Sequence, residues 1–132
     1  MTSNSKILFA ALVGAAVGGA ALHGLHAQVR PKAYTVTELE TLDAKGAADV
    51  ANRIAKMQES AGGRNLRTGG GKVTSMEGPP PPQRIAITEW DNIDKAQAFF
   101  KSKEWADIGP DRDKSLKTVT QICRGTTGLT RS

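Results

Sequence analysis

The chain has 132 residues, with 18 Lys and Arg against 13 Asp and Glu, two His and a single Cys. That length suits one domain and leaves no chain for a second core of ordinary size. At 39% hydrophobic and 23% charged, it is neither a disordered tail nor a polytopic membrane protein, and one Cys excludes a disulfide framework or multi-cysteine metal knuckle.

Residues 1–27 read as a secretory signal peptide. Lys6 is the only charge of a short polar head, an apolar stretch rich in Ala and Gly follows over 7–22, and Leu25-His26-Ala27 precedes the expected cut. No Arg-Arg pair marks the twin-arginine route, and no Cys marks a lipoprotein. The competing reading is an uncleaved anchor, since about 20 apolar residues span a hydrocarbon core. Cleavage after Ala27 predicts a periplasmic or secreted domain over 28–132, with no stable membrane insertion. It also removes His23 and His26. A domain without imidazole has no histidine triad, no histidine base and no ordinary zinc site, so neither metal nor organic cofactor is expected.

β-Branched and aromatic residues over 34–40 predict a strand. Asp43 then stands as the N-cap of a helix over 44–60, where Ala47, Val50, Ala51, Ile54 and Met57 recur at helical spacing and Gly62-Gly63 ends the run. Residues 64–77 predict a second strand, bulged at Gly69-Gly70-Gly71, before four prolines (79–82) that cannot join a ladder. A clean strand over 84–90 leads into a helix capped by Asp91 or Asn92. That helix carries Ile93, Ala96, Phe99 and Phe100, continues irregularly through Trp105 and Ile108, and is broken by Pro110. After a helical turn at Asp111, residues 116–123 form the last strand and Gly125 opens a tail. The order βαββαβ is that of a ferredoxin-like α+β sandwich: four antiparallel strands with both helices on one face. With Ala86, Thr88 and Trp90 against the helices, Ile85 and Ile87 point outward. Such a half-apolar open face predicts a sheet-to-sheet homodimer.

An ordered series carries a family resemblance: Tyr34-Thr-Val-Thr-Glu-Leu-Glu-Thr-Leu-Asp43, Gly62-Gly63-Arg64, Gly69-Gly70, Glu77-Gly78, Pro82-Gln-Arg84, Glu89-Trp90, Lys95-Ala96-Gln97-Ala98-Phe99, Ser102, Trp105, Arg112-Asp113 and Ile122-Cys-Arg-Gly125. Over a core of about 32–125 (boundaries good to a few residues), the chain resembles the domain of unknown function 1330 family of the dimeric α+β barrel group. The resemblance implies a ferredoxin-like fold, a dimer whose sheets form a barrel, and no agreed activity. Cofactor-free monooxygenases and lactone isomerases share that barrel, but a fold does not carry its chemistry with it. The sequence departs from the family pattern at Ala47 and Val50, where aromatics are common, at the missing Pro after Asp43, and at Trp90, where Phe is usual.

Two readings of the chemistry follow. In the first, the barrel interior of the dimer holds a small anionic or partly apolar ligand, as a binding or accessory module. Arg64, Arg84 and Arg112 are the candidate anion ligands, because guanidinium grips carboxylate bidentately, with Glu40 beside them. In the second, the protein is a cofactor-free enzyme in which Glu38 or Glu89 acts as general base, its pKa raised in a partly apolar barrel, while Arg64 or Arg112 steadies developing negative charge. Against both stand ordinary ion pairs of Glu89 with Arg64, Arg84 or Arg112, and a purely structural dimer.

Other motifs fail on inspection. Gly69-Gly-Gly-Lys72 has Leu66 and Val73 where a phosphate loop needs Gly and Ser or Thr. The run from Asp111 to Ser115 lacks the Gly and Glu of a calcium loop, with Leu116 and Ile122 in their positions. No nucleic acid partner is expected, because stacking aromatics are missing from the central strand apart from Trp90, which is assigned to the core. Cys123 is expected as a small buried hydrophobe and Tyr34 as a packing residue.

Overall fold

The computed structural model describes residues 30–68 and 71–126. The expected signal peptide, Gly69-Gly70 and residues 127–132 lie outside them. Strand β1 (Ala33–Thr41) leads into helix α1 (Ala44–Ser60), followed by a two-residue strand β2 (Arg64–Asn65) and by β3 (Arg84–Trp90). Three short helices then follow, α2 (Ile93–Phe100), α3 (Lys103–Asp107) and α4 (Gly109–Ser115), before β4 (Leu116–Arg124). The strands make one antiparallel sheet in the order β2-β3-β1-β4. This is the expected ferredoxin-like α+β fold.

Caps fix the helix starts as their side chains require. The Asp43 carboxylate accepts from the amides of Lys45 (3.1 Å) and Gly46 (3.2 Å), and Asn92 Oδ1 accepts from Lys95 N. Helix α1 ends where Gly62 adopts φ +90°, the left-handed region that glycine enters without strain. Pro110 does not break a helix. It occupies the first turn of α4, where its missing N–H has no partner to lose.

The second strand is a larger departure from expectation. It covers Arg64–Asn65 instead of 64–77. Leu66 N still donates to Ile87 O (2.9 Å), but the Ile87 N–H donates to the Thr68 hydroxyl oxygen (3.2 Å). A side chain thus replaces the ladder and the chain turns away. The prolines and Gly78 (φ +92°) then carry it to β3 outside the sheet.

Residues of even number in β3 and odd number in β1 face the helices. Trp90 and Ala33 are opposite each other and fully buried, with Ala96 and Phe99 of α2 packed on them. The Trp90 indole donates to Thr35 Oγ1 (3.1 Å), which satisfies the two largest fully buried side chains at once. A second cluster joins Ala47 and Val50 of α1 to Leu116, with Leu39 and Ile54 against it. Cys123 is exposed, not buried. It sits on the edge strand β4 opposite Tyr34, on the face the helices leave bare.

Candidate functional site

The uncovered face is built from Tyr34, Val36, Glu38 and Glu40 of β1, Ile85, Ile87 and Glu89 of β3, and Lys117, Val119, Gln121 and Cys123 of β4, as the registers dictate. At one end an ion-pair chain runs Lys32–Glu89–Arg64–Asp91–Lys95. Glu89 Oε1 accepts from Lys32 Nζ and Arg64 Nε, both at 2.8 Å, and Oε2 accepts from the Tyr34 hydroxyl at 3.1 Å. These donors, Lys32 foremost and then Arg64, lower its pKa from 4.5 to about 2, against the partial burial that opposes ionisation. The shift is opposite to the raised value expected for a barrel carboxylate. The cause is the density of donors around a group only 18% exposed. Asp91 is lowered in the same way by Lys95 and then Arg64.

At the other end of this face Glu40 pairs with Lys117 (3.1 Å), while Glu38 is exposed with no ion-pair partner among the described residues. Both glutamates line a broad groove of about 900 Å³ between the sheet and the proline segment, bordered by Val73, Met76, Pro80 and Val119. The groove is open to solvent, and Met76 is 95% exposed.

A different space lies on the helix side. Ala47, Ala51 and Ala55 recur at every fourth residue of α1 and so form one stripe. That stripe faces Thr37 and Ala86 of the sheet, and small residues on both sides leave a cavity of about 240 Å³. Leu39, Ile54, Leu116, Phe100 and Trp105 supply its apolar wall, and Thr41, Asn52, Gln58, Asn65 and Thr118 its neutral polar groups. Its far end is pinned by hydrogen bonds. Thr88 Oγ1 donates to Asn65 Oδ1 (2.8 Å), and Asn65 Nδ2 donates to the Ala55 carbonyl (3.2 Å). Among the described lining residues only Arg84 is charged.

The six residues singled out from sequence are therefore dispersed. Arg64 and Glu89 meet in the ion-pair chain, and Glu38 and Glu40 share the outer groove. Arg84 stands opposite Leu39 on the helix-facing row and lines the cavity. Arg112 lies over the Trp105 ring, 4.5 Å from its centroid, with Nε on Asp113 (2.9 Å) and a buried Nη1 that has no hydrogen-bond partner. Sequence reasoning missed the alanine stripe, because Ala at core positions reads as close packing. The signal was there in the coincidence of Ala47, Ala51 and Ala55 with Ala86, visible only once strand and helix are paired. No group of three His, Cys, Asp or Glu among the described residues is arranged to hold a metal ion.

The family model for a domain of unknown function, DUF1330, matches residues 32–126. The chain belongs to the DUF1330 family. Among curated proteins none matches it. Solved structures share the fold of this DUF1330 domain at low sequence identity. RPA0582, a protein of unknown function from Rhodopseudomonas palustris, superposes with a TM-score of 0.60 at 10% identity over 75% of this chain and 85% of its own. SnoaB, a cofactor-independent oxygenase from Streptomyces nogalater, does so with a TM-score of 0.56 at 10% identity over 76% of this chain and 99% of its own. At these identities the likeness is one of fold.

Proposed function

We propose that this DUF1330 domain is an exported small-molecule-binding or accessory domain that works as a sheet-to-sheet homodimer. The helix-side cavity is the observation that carries the binding reading. Its volume exceeds the roughly 150 Å³ in which an apolar cavity holds benzene, and apolar walls with a few polar groups are the usual make-up of a ligand site. Among the described residues no carboxylate, Cys or His lines it, which favours binding over proton-transfer chemistry there. The test is thermal unfolding with small aromatic molecules, such as phenol, indole and benzyl alcohol. Saturable stabilisation that Ala51→Leu removes supports the reading; no stabilisation by any of them, nor by small aromatic or branched carboxylates and their amides, overturns it.

The dimer rests on the uncovered face. Val36, Ile85, Ile87 and Val119 form its apolar middle, with the Lys32–Glu89–Arg64 ion pairs at one end and Glu38 beside the Glu40–Lys117 pair at the other. A twofold axis lying in this face lets the apolar middle of one copy cover that of the other, with the charged groups left at the rim. Sedimentation at micromolar concentration should give two chains per particle, and Val36→Lys, which buries an unpaired charge, should give one. A wild-type monomer would refute the assembly. Export rests on the sequence of residues 1–27. Its test is cell fractionation with N-terminal sequencing, where Gln28 as the first residue is the expected outcome and a retained Met1 the contrary one.

The competing reading is a cofactor-free enzyme, favoured by the fold shared with SnoaB and by Glu38 standing without an ion pair in the outer groove. Of the two candidate bases Glu38 suits the role better, since a carboxylate with a pKa of about 2 has little affinity for a substrate proton. Of the three candidate anion ligands, Arg84 lines the cavity, whereas Arg64 is engaged by Glu89 and Asp91 and Arg112 by Asp113 and the Trp105 ring.

A further inference from the structure

We infer that the cavity's ligand is a small aromatic or branched aliphatic monocarboxylate, held by Arg84 at the rim with its apolar body under the alanine stripe of α1. This deepens the binding reading proposed above and rests on it. Three observations carry the inference.

The first is position. The helix-facing row of β3 reads Arg84, Ala86, Thr88, Trp90, and every member but the first is uncharged. The register sets Arg84 opposite Leu39, which packs on the second core cluster. A guanidinium in that row extends an apolar surface with its stem and presents its fork at the mouth of the space. The second is charge. Among the described residues Arg84 is the sole charged group of the lining, and no carboxylate pairs with it. A single planar fork beside an otherwise neutral cavity suits one carboxylate, which it meets through two parallel N–H···O bonds. The third is the wall. Trp105, which lines the cavity, carries the Arg112 guanidinium 4.5 Å from its ring centroid. Asp113 engages only Nε of that group, leaving Nη1 buried without a partner. The wall thus offers a flat ring to an apolar body, and no acidic group among the described lining residues opposes a carboxylate. Size limits the rest. About 240 Å³ admits one ring or a short branched chain and excludes a fused polycycle or a nucleotide.

The experiment compares isosteric pairs on the purified full chain by isothermal titration: benzoate against benzamide, and isovalerate against isovaleramide. Both acids should bind about five- to tenfold more tightly than their amides, with the margin shrinking as salt rises. Arg84→Gln should bring acid and amide to parity, and Arg84→Lys, a point charge without the fork, should restore only part of the preference. Circular dichroism of each variant checks that it is folded, and Arg84 is exposed enough for both to fold. Equal binding of acid and amide to the wild type would overturn the carboxylate assignment while leaving the cavity reading intact. A preference that survives in Arg84→Gln would overturn the role of Arg84. Absence of binding by any of the four, together with no stabilisation by the neutral aromatics, would overturn both the inference and the reading beneath it.

Discussion

Replacing Ala51 with Leu should stabilise this protein, which is unusual for a substitution that enlarges a core-facing residue. Ala51 lies in the middle of the stripe on α1 and borders a cavity of about 240 Å³. Three added carbons fill on the order of 80 Å³, worth about 2 kcal/mol at roughly 24 cal/mol per Å³ of cavity. Counting instead about 0.8 kcal/mol for each buried methylene gives about 2.4 kcal/mol. Ordering the leucine side chain costs about 0.5–1 kcal/mol, so the net gain is about 1–2 kcal/mol. For a domain of this size that corresponds to a rise of about 5–15 °C in Tm. Urea unfolding with the m-value held constant measures it directly. Ala48→Leu on the exposed side of the same helix makes the same change in helix propensity and should leave stability within about 0.5 kcal/mol. If Ala51→Leu destabilises by about 1 kcal/mol or more, the space is not there to be filled, and overpacking describes the site better than a cavity.

Three other outcomes follow from particular contacts. Glu89→Gln should lose the stability that the wild type draws from Lys32, Arg64 and Tyr34. Because the folded pKa is lowered from 4.5 to about 2, that contribution is fully present above about pH 5 and disappears as pH falls toward 2. The urea midpoints of the two proteins should therefore converge between those limits, and a gap unchanged by acid would disprove the ion-pair account. Gly63→Ala should cost about 1–3 kcal/mol, since an added Cβ would stand 2.9 Å from Thr88 Cγ2 and 3.1 Å from the Trp90 ring; unaltered thermal unfolding would contradict that close approach. Asp43→Ala should cost about 1 kcal/mol by removing the cap of α1, with Asp43→Asn nearly neutral, and equal losses in both would point away from capping.

Local physics made much of this molecule readable from its residues alone. The cap at Asp43, the stop at Gly62, the alternation of Arg84–Trp90 and the helical spacing of Ala47, Val50 and Ile54 all act within a few residues, so the order βαββαβ and its ferredoxin-like sheet followed from them. The apolar outward positions Ile85 and Ile87 were equally legible, because alternation along one strand fixes opposite faces. What escaped depends on partners remote in sequence. Strand β2 stops after Asn65 because the Thr68 hydroxyl takes over a ladder bond, which no propensity encodes. Cys123 is exposed because β4 lies at a sheet edge, a matter of strand order. Glu89 has a lowered pKa where a general base needed a raised one because Lys32, Tyr34 and Arg64 converge from distant positions. The cavity is the clearest case. Each alanine of α1 is unremarkable by itself, and only their register against Ala86 and Thr37 turns missing side-chain volume into a space. Composition and periodicity specify which face of an element turns inward; how completely two such faces fill the gap between them is settled by tertiary packing.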